Sequence, residues 1–222
     1  MSEISTHVDQ RHFDYLAART TRDDDFLVAL KAAAREAGLP AIWISPEQAS
    51  FMQILLRSAR AREVVEVGTL AGYSAITMAR ALPPDGRLRT LELMPAHAAF
   101  AREWVSRSDV ADRIEVLEGG GAELLPTFAS GTVDAIFLDA DKAGYAGYLE
   151  EARRLLKPGG LLLCDNAFAF GDLFSEGEVS EGVAAIRAFN DLLAADPDFH
   201  GVIVPIGDGL WVGVREGEEA PR

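Results

Sequence analysis

The sequence has little cysteine, few basic residues relative to acidic ones, and no long apolar run. Its 222 residues include one cysteine, Cys164, so no internal disulfide can form, and an unpaired thiol fits a reducing compartment. The first residues, MSEISTHVDQRHF, are polar and lack the apolar stretch of a signal peptide. No window approaches the ~18 apolar residues of a membrane span. These shortages predict a soluble, cytoplasmic protein.

Basic residues are outnumbered, with 21 Lys and Arg against 35 Asp and Glu, for a formal net charge of −14. An acidic surface repels nucleic acid and anionic membranes, so neither is expected as a partner. The 49% hydrophobic content is enough for one sizeable core. We therefore expect a single domain over residues 1–222, with N-terminal helices in 1–60, an α/β core in 61–215 and a frayed tail in 216–222.

Two helices are predicted before the core. In DDDFLVALKAAAREAGLP, the acids at 23–25 suit a helix N-terminus, and the glycine and proline near its end stop the helix. In SPEQASFMQILLRSAR, Ser45 can cap a helix that has Pro46 in its first turn. Apolar spacing predicts that the buried face of this second helix consists of Phe51, Ile54, Leu55 and Ala59.

After Arg62 short apolar runs alternate with helix-length segments. The candidate strands are 63–67, 87–93, 113–119, 133–140, 160–166, 200–206 and 209–215. Helices are expected near 72–81, 95–106, 121–129, 145–156 and 179–195. This alternation predicts an α/β fold with a doubly wound, mostly parallel seven-stranded sheet, whose last two strands form an antiparallel hairpin. The segment KPGG at 157–160 is predicted to be a turn between a helix and a strand.

The first strand ends in a glycine loop that matches no phosphate-binding signature. Gly68 and Gly72 stand in EVGTLAGYSA, which lacks both the lysine of a phosphate loop and the G-x-G-x-x-G of a dinucleotide loop. Glu66 suits a cationic or amine-bearing ligand, and Glu92, which ends the second strand, can accept ribose hydroxyls. Alternatively, each of these acids is an acidic residue at a helix N-terminus or a solvated surface charge. Together they describe a nucleoside with a cationic amino-acid arm, which fits S-adenosylmethionine.

Oxygen ligands end two further strands. Asp139 follows the fourth strand, and Asp165 and Asn166 follow the fifth. These strands are neighbours in a doubly wound sheet, so two carboxylates and an amide oxygen should converge, and a cation would relieve the repulsion between the carboxylates. All-oxygen donors suit Mg²⁺ best, with Ca²⁺ or Mn²⁺ as alternatives, whereas zinc is not expected because Cys164 should point to the opposite face. The structural alternative is that both aspartates are turn and cap residues.

The chain resembles the class I S-adenosylmethionine-dependent methyltransferases. It is most similar to their divalent-metal-dependent O-methyltransferase branch, which includes caffeoyl-CoA and catechol O-methyltransferases and many bacterial relatives. The matching segments are, in order, ISPEQASF, EVGTLAGYSA, LPPDGRLRTLEL, LDADKAGYAGY, LLKPGGLLLCDN and IGDGLWVGV. Any one of these segments is a weak signal, but their order and spacing make a strong one over nearly the whole chain.

The resemblance implies a role for each matching residue. Metal ligands would be Asp139, Asp165 and Asn166, and the catalytic residues would be Lys142, as general base, with Asp139. The cofactor would be bound by Glu66, Gly68, Thr69, Gly72, Ser74, Glu92, Ala122, Asp139 and Asp141. A metal and a sulfonium near Lys142 would disfavour its charged form and lower its pKa, so that it could remove a proton from a substrate hydroxyl.

The resemblance also implies a homodimer that methylates a hydroxyl of a catechol-like or phenolic small molecule. Relatives often read DNxLW where this chain has DNAFAFGDLF, and often carry Asn at the position of Gly144, so the substrate pocket is less defined. Here Phe168, Phe170 and Phe174 could stack on a phenolic ring or form a lid over their own core. The acidic chain favours a free catechol over a polyanionic CoA ester.

Two other function classes compete with this interpretation. One is a nicotinamide-dependent oxidoreductase on a similar sheet, which the incomplete glycine signature and the acidic loop disfavour. The other is a non-catalytic S-adenosylmethionine-binding module, which the full set of Asp139, Lys142, Asp165 and Asn166 disfavours.

Overall fold

The computed structural model of the protein describes residues 8–217. The predicted tail at 216–222 therefore lies mostly outside the described residues. Within them the α-helices are α1 (Gln10–Ala17), α2 (Asp25–Glu36), α3 (Pro46–Ser58), α4 (Tyr73–Ala79), α5 (Pro95–Ser106), α6 (Gly121–Leu124), α7 (Tyr145–Leu155) and α8 (Glu181–Ala194). The strands are β1 (Glu63–Val67), β2 (Arg87–Glu92), β3 (Ile114–Glu118), β4 (Val133–Leu138), β5 (Leu156–Cys164), β6 (Phe199–Val204) and β7 (Leu210–Arg215).

The strands of residues 8–217 form a seven-stranded sheet in the order β3-β2-β1-β4-β5-β7-β6. Strands β1 to β5 pair in parallel, while β7 pairs antiparallel with both β5 and β6. The predicted doubly wound sheet and its C-terminal hairpin are therefore confirmed. Strand order reverses between β1 and β4, so the carboxyl ends of these two strands flank the switch point, where ligands bind in open α/β sheets.

The two faces of the sheet are covered by different helices. Val64 and Phe137 pack with residues of α2 to α5, whereas Val65 and Ile136 pack with residues of α7 and α8. This alternation follows from the two-residue period of a strand, and burial on both faces explains why the strands read as continuous apolar runs. Cys164 is completely buried on the α7–α8 side, where burial raises the pKa of its thiol, so it is a packing residue as predicted.

Two sequence predictions about local structure were wrong. The buried residues of α3 are Gln48, Ala49, Met52 and Leu56, whereas Ile54 is 59% exposed and Ala59 is exposed. The apolar residues surround much of this helix, so two stripes of helical period were available and packing against α4 selected the other one. The KPGG segment lies inside β5, where pairing shifts from Val133↔Leu156 to Ala135↔Leu161 around an irregularity.

No helix between residues 8 and 217 is both long enough and apolar enough to cross a bilayer.

Candidate active site

A cavity of about 490 Å³ opens at the carboxyl ends of the parallel strands. Its walls come from the loops that follow β1 to β5 and from the connection between α2 and α3. This volume lies within the range of small-molecule and cofactor sites. The position is the one that the topology predicts for a ligand at the strand-order switch.

The loop after β1 lies directly against the end of β4. Gly68 has φ +100°, and a side chain there would collide with the carbonyl oxygen of Asp139, so only glycine allows this close approach. Gly72, at φ +85°, is the N-cap residue of α4. Gly68, Thr69 and Ser74 line the cavity, whereas Gly72 does not. The two glycines therefore shape the backbone on which the cavity-lining residues stand.

Glu66 is fully buried next to the cavity-lining residues Val67 and Gly68. Its Oε2 accepts a hydrogen bond from the Thr90 hydroxyl at 2.6 Å, while Oε1 has no partner among the described residues. Burial raises the pKa of Glu66 to about 8, although the nearby hydroxyl groups of Ser74 and Thr90 oppose the shift. A buried acceptor without a partner is unusual in a folded protein, and a donor on a bound ligand would satisfy it. The site therefore fits the amine-bearing cofactor predicted from the sequence.

Glu92 lines the cavity and also fastens the loop after β1. Its Oε2 accepts the backbone N–H groups of Thr69 at 3.1 Å and Leu70 at 2.7 Å, and its Oε1 accepts that of Met94 at 2.9 Å. An ionised carboxylate has about four acceptor sites, so capacity remains for a ligand hydroxyl. The role of this acid in organising the loop was not anticipated from the sequence.

Asp139, Asp165 and Asn166 are brought together as predicted from the strand ends. Leu138 pairs with Cys164, and the Asp165 N–H donates to the Leu138 carbonyl at 3.0 Å, so the residues that follow β4 and β5 are adjacent. Burial raises the pKa of Asp139, opposed by Lys142. Burial, followed by the charge of Asp139, raises the pKa of Asp165 to about 7.

Mutual repulsion between the buried carboxylate of Asp165 and the partly buried carboxylate of Asp139 is relieved by a cation, and the amide oxygen of Asn166 beside them completes an all-oxygen donor set. This set fits a hard divalent ion. The described residues contain no group of three or more His, Cys, Asp or Glu that could hold a metal.

Lys142 points toward this acidic pair. Its Nζ lies 3.4 Å from Asp139 Oδ1 and 2.6 Å from the Tyr145 hydroxyl, which itself donates to the Leu138 carbonyl at 3.1 Å. The lysine side chain is only 10% exposed, so it is not a solvated surface lysine. Tyr145, which the sequence interpretation missed, thus fixes the position of the amine.

Asp141 also lines the cavity and organises the turn that carries Lys142. One carboxylate oxygen accepts the Gly144 N–H at 2.9 Å and the other accepts the Tyr148 hydroxyl at 2.6 Å. A side chain at Gly144 would collide with both the Tyr148 ring and the Asp141 carboxylate. Glycine at position 144, where relatives often carry Asn, therefore avoids a collision with Tyr148 and Asp141.

The three phenylalanines after β5 do not form one cluster. Phe170 lines the cavity with Trp43 and Ile42 and is 61% exposed, whereas Phe174 is 89% exposed and does not line it. Phe168 packs against Gly209, where any side chain would collide with its ring. Of the three phenylalanines, Phe170 is therefore the one placed to contact a bound ring. The ring of Trp43, in the same cavity wall, has cationic side chains of α2 over it.

Some cavity-lining residues were not identified from the sequence. Ala122 is exposed and does not line the cavity, while its neighbours Gly119, Gly120 and Gly121 do. Leu93, Met94 and His97 also line it, with His97 Nδ1 3.7 Å from Glu92 Oε1. The sequence signal for these residues was their position, because the glycines and Leu93 directly follow β3 and β2, and His97 lies in the first turn of the helix after β2.

Known proteins are similar to this chain in both sequence and fold. Residues 18–216 match the family model described as O-methyltransferase. The chain is 38% identical to a catechol O-methyltransferase of Niastella koreensis, covering 91% of this chain and 90% of the relative. It is 40% identical to a catechol O-methyltransferase of Mycobacterium tuberculosis, covering 78% and 79%.

A solved structure also bears on the cofactor. The O-methyltransferase TomG of Streptomyces achromogenes, involved in tomaymycin synthesis and solved in complex with S-adenosylmethionine, superposes with a TM-score of 0.84 at 30% identity. The superposition covers 95% of this chain and 100% of TomG. With a matching family model, close relatives and a cofactor-bound neighbour, the chain belongs to the O-methyltransferase family and is a class I S-adenosylmethionine-dependent enzyme.

Proposed function

We propose that this enzyme methylates a hydroxyl of a catechol-like or phenolic small molecule and depends on a divalent cation, with Mg²⁺ favoured over Ca²⁺ or Mn²⁺. The observation that carries the proposal is the convergence of Asp139, Asp165 and Asn166 at two adjacent strand ends, beside Lys142. Two relatives that bear the name catechol O-methyltransferase support the substrate class.

In this proposal the predicted residues serve the cation, the cofactor or, in the case of Asp139, both. Asp139, Asp165 and Asn166 hold the cation, which when bound supplies Lewis acidity that lowers the pKa of a substrate hydroxyl. The residues assigned to the cofactor are Glu66, Gly68, Thr69, Gly72, Ser74, Glu92, Ala122, Asp139 and Asp141. Most of them line the cavity, whereas Glu66, Gly72 and Ala122 are sequence neighbours of residues that line it. The unpartnered Oε1 of Glu66 would accept a hydrogen bond from the cofactor's amino group.

Lys142 is the general base of the proposed reaction. It removes the proton from the substrate hydroxyl, and the resulting oxyanion attacks the sulfonium methyl group in line. The oxygen–carbon bond forms as the carbon–sulfur bond breaks, which gives a methyl ether and S-adenosylhomocysteine. Because the Tyr145 hydroxyl donates to Leu138, it can accept from Lys142 and hold the amine in place.

A flat aromatic substrate suits the apolar side of the cavity. Trp43 and Phe170 both present aromatic rings there, and Ile42 adds a third apolar surface. Aromatic rings favour such stacked or edge-on contacts. The net charge of −14 disfavours a polyanionic CoA ester, so we propose a free catechol or a phenolic group on a small natural product.

We also propose that the protein is a cytoplasmic homodimer. The unpaired, buried Cys164 supports a reducing compartment, and the family resemblance supports the dimer. Light scattering after size exclusion would give the mass directly: about twice 23.9 kDa supports the dimer, and a single chain mass contradicts it.

The function is tested by a screen of catechols and polyphenols with a labelled methyl donor, before and after removal of metal. We expect transfer to a catechol that EDTA abolishes and Mg²⁺ restores. Full catechol methylation after thorough metal removal contradicts the cation dependence, and transfer only to acceptors without a phenolic hydroxyl contradicts the substrate class. A thermal shift with S-adenosylhomocysteine, but none with NAD, would separate the enzyme from the oxidoreductase alternative.

A further inference from the structure

Side chains from outside the parallel part of the sheet hold the two candidate ligands at the end of β5. Gln48 of α3 is buried and donates its Nε2 to Asp165 Oδ1 at 2.7 Å, across 117 residues of sequence. Asp208, in the turn between β6 and β7, accepts a hydrogen bond from Asn166 Nδ2 at 3.1 Å. The N-terminal helices and the C-terminal hairpin therefore both reach the same strand end.

The side chain of Gln48 does not make the hydrogen bond that its position in α3 favours. Ser45 caps α3 by accepting the Gln48 backbone N–H at 3.2 Å, and in an S-x-x-Q capping box the glutamine side chain returns to the cap residue. Here the side-chain amide is turned to Asp165 instead. A hydrogen bond to Oδ1 fixes the rotation of the carboxylate, so its second oxygen faces one direction.

Asp208 orients the amide of Asn166 in a similar way. Asn166 has a left-handed backbone with φ +66°, which is uncommon outside glycine. One oxygen of Asp208 accepts both the Asn166 side-chain N–H and the Phe170 backbone N–H, the latter at 2.8 Å. An amide that donates its nitrogen to Asp208 directs its oxygen elsewhere, and oxygen is the atom that a hard cation binds.

The Gln48–Asp165 and Asp208–Asn166 contacts are packed against each other. Gly207 precedes Asp208 with φ +56°, and a side chain there would collide with Oε1 of Gln48. The same turn accepts two backbone hydrogen bonds from the segment after β5, from Ala167 to Gly209 at 2.9 Å and from Phe168 to Asp208 at 2.8 Å. Helix α3, the hairpin turn and the end of β5 are therefore packed together.

The geometry points to Gln48 and Asp208 as positioning residues that orient Asp165 and Asn166 for a divalent cation and thereby set the cation affinity. This inference rests on the proposed cation dependence. Residues that hydrogen-bond to metal ligands fix the orientation of those ligands, and their loss weakens metal binding about 10- to 100-fold. Neither Gln48 nor Asp208 lines the cavity or belongs to the residues assigned to the cofactor, so cofactor affinity should not change with them.

The first test compares two glutamines on the same helix. Gln48→Met keeps the side-chain volume and removes the donor to Asp165. Gln53→Met is the matched control, because Gln53 donates to the Thr77 carbonyl at 2.7 Å and not to a candidate ligand. With saturating S-adenosylhomocysteine, Mg²⁺ titrated by calorimetry and Mn²⁺ by paramagnetic resonance should bind about 10- to 100-fold more weakly to Gln48→Met only.

The second test uses a conservative variant at the partly exposed turn. Asp208→Ala removes the acceptor for Asn166 and should weaken Mn²⁺ binding about tenfold or more. Asp208→Asn keeps an acceptor oxygen and should restore most of that affinity. Binding of S-adenosylhomocysteine should stay the same in all these variants. The Asp208 pair decides the question if Gln48→Met does not fold.

The outcomes separate the inference from the proposed function. If the unmodified protein binds neither Mg²⁺ nor Mn²⁺, the cation dependence fails and the inference fails with it. If the unmodified protein binds them and both Gln48→Met and Asp208→Ala bind equally well, only the inference is overturned. Equal loss in Gln48→Met and Gln53→Met also overturns it, because general loosening of α3 would then explain the effect.

Discussion

Replacement of Glu66 by glutamine should change how the stability of the ligand-free protein depends on pH. The buried carboxyl has its pKa raised from 4.5 to about 8, chiefly because burial disfavours its charged form. A raised pKa means that the folded state holds a proton that the unfolded state has lost. This contribution to stability is complete below pH 4.5 and disappears as pH rises through about 8.

The size of the effect follows from these two pKa values. Between pH 6 and pH 8 the Glu66 contribution to the free energy of unfolding should fall by about 2 kcal/mol. Asp139 and Asp165 also have raised pKa values and add a fall of the same sign, but they are present in both proteins. The difference between Glu66→Gln and the unmodified protein therefore reports Glu66 together with its electrostatic coupling to Asp139 and Glu92.

Urea denaturation at pH 6, 7 and 8 without cofactor provides the assay. Relative to the unmodified protein, Glu66→Gln should gain about 2 kcal/mol from pH 6 to pH 8, or roughly 5 °C in melting temperature for a chain of this size. Glu115→Gln, on the exposed side of β3, controls for the loss of one negative charge and should show no comparable trend. A Glu66→Gln difference that is constant across this pH range would show that folding does not raise the pKa of Glu66.

Three further variants test the roles of individual side chains. Lys142→Met should reduce catechol turnover by about 10²- to 10⁴-fold while S-adenosylhomocysteine affinity changes little, and full turnover would remove its role as base. Tyr145→Phe deletes the acceptor that holds Lys142 and should lower kcat about tenfold with KM nearly constant; an unchanged kcat contradicts that role. Phe170→Ala should raise the KM for a catechol several-fold, whereas the exposed Phe174→Ala should not, and equal effects would show that Phe170 does not stack on the ring.

The sheet and the oxygen cluster could be predicted from the sequence because both depend on local patterns. Strands buried on both faces read as apolar runs, and their order places Asp139 and Asp165 side by side. Glu66 could be identified as a candidate ligand contact for a related reason, because an acidic residue near the end of an apolar strand is unusual. Each of these signals lies within a few residues of a strand end.

The contacts that were missed depend on packing between distant elements. Gln48 reads as part of a helix cap, and only the docking of α3 beside β5 turns it to Asp165. Asp208 reads as an ordinary turn residue until the hairpin places it beside Asn166. The prediction of the buried face of α3 was wrong for the same reason. The helix has two apolar faces of helical period, and the elements that pack against it bury the face that contains Met52.

Diffraction from crystals that contain Mn²⁺ and S-adenosylhomocysteine would show whether a cation binds at the ends of β4 and β5, because Mn²⁺ scatters anomalously. We expect one anomalous peak within coordination distance of side-chain oxygens of Asp139, Asp165 and Asn166, on the side of the cavity that holds the sulfur of the cofactor product. Absence of a peak there at saturating Mn²⁺, with Asp139 still paired with Lys142, would rule out the proposed cation site.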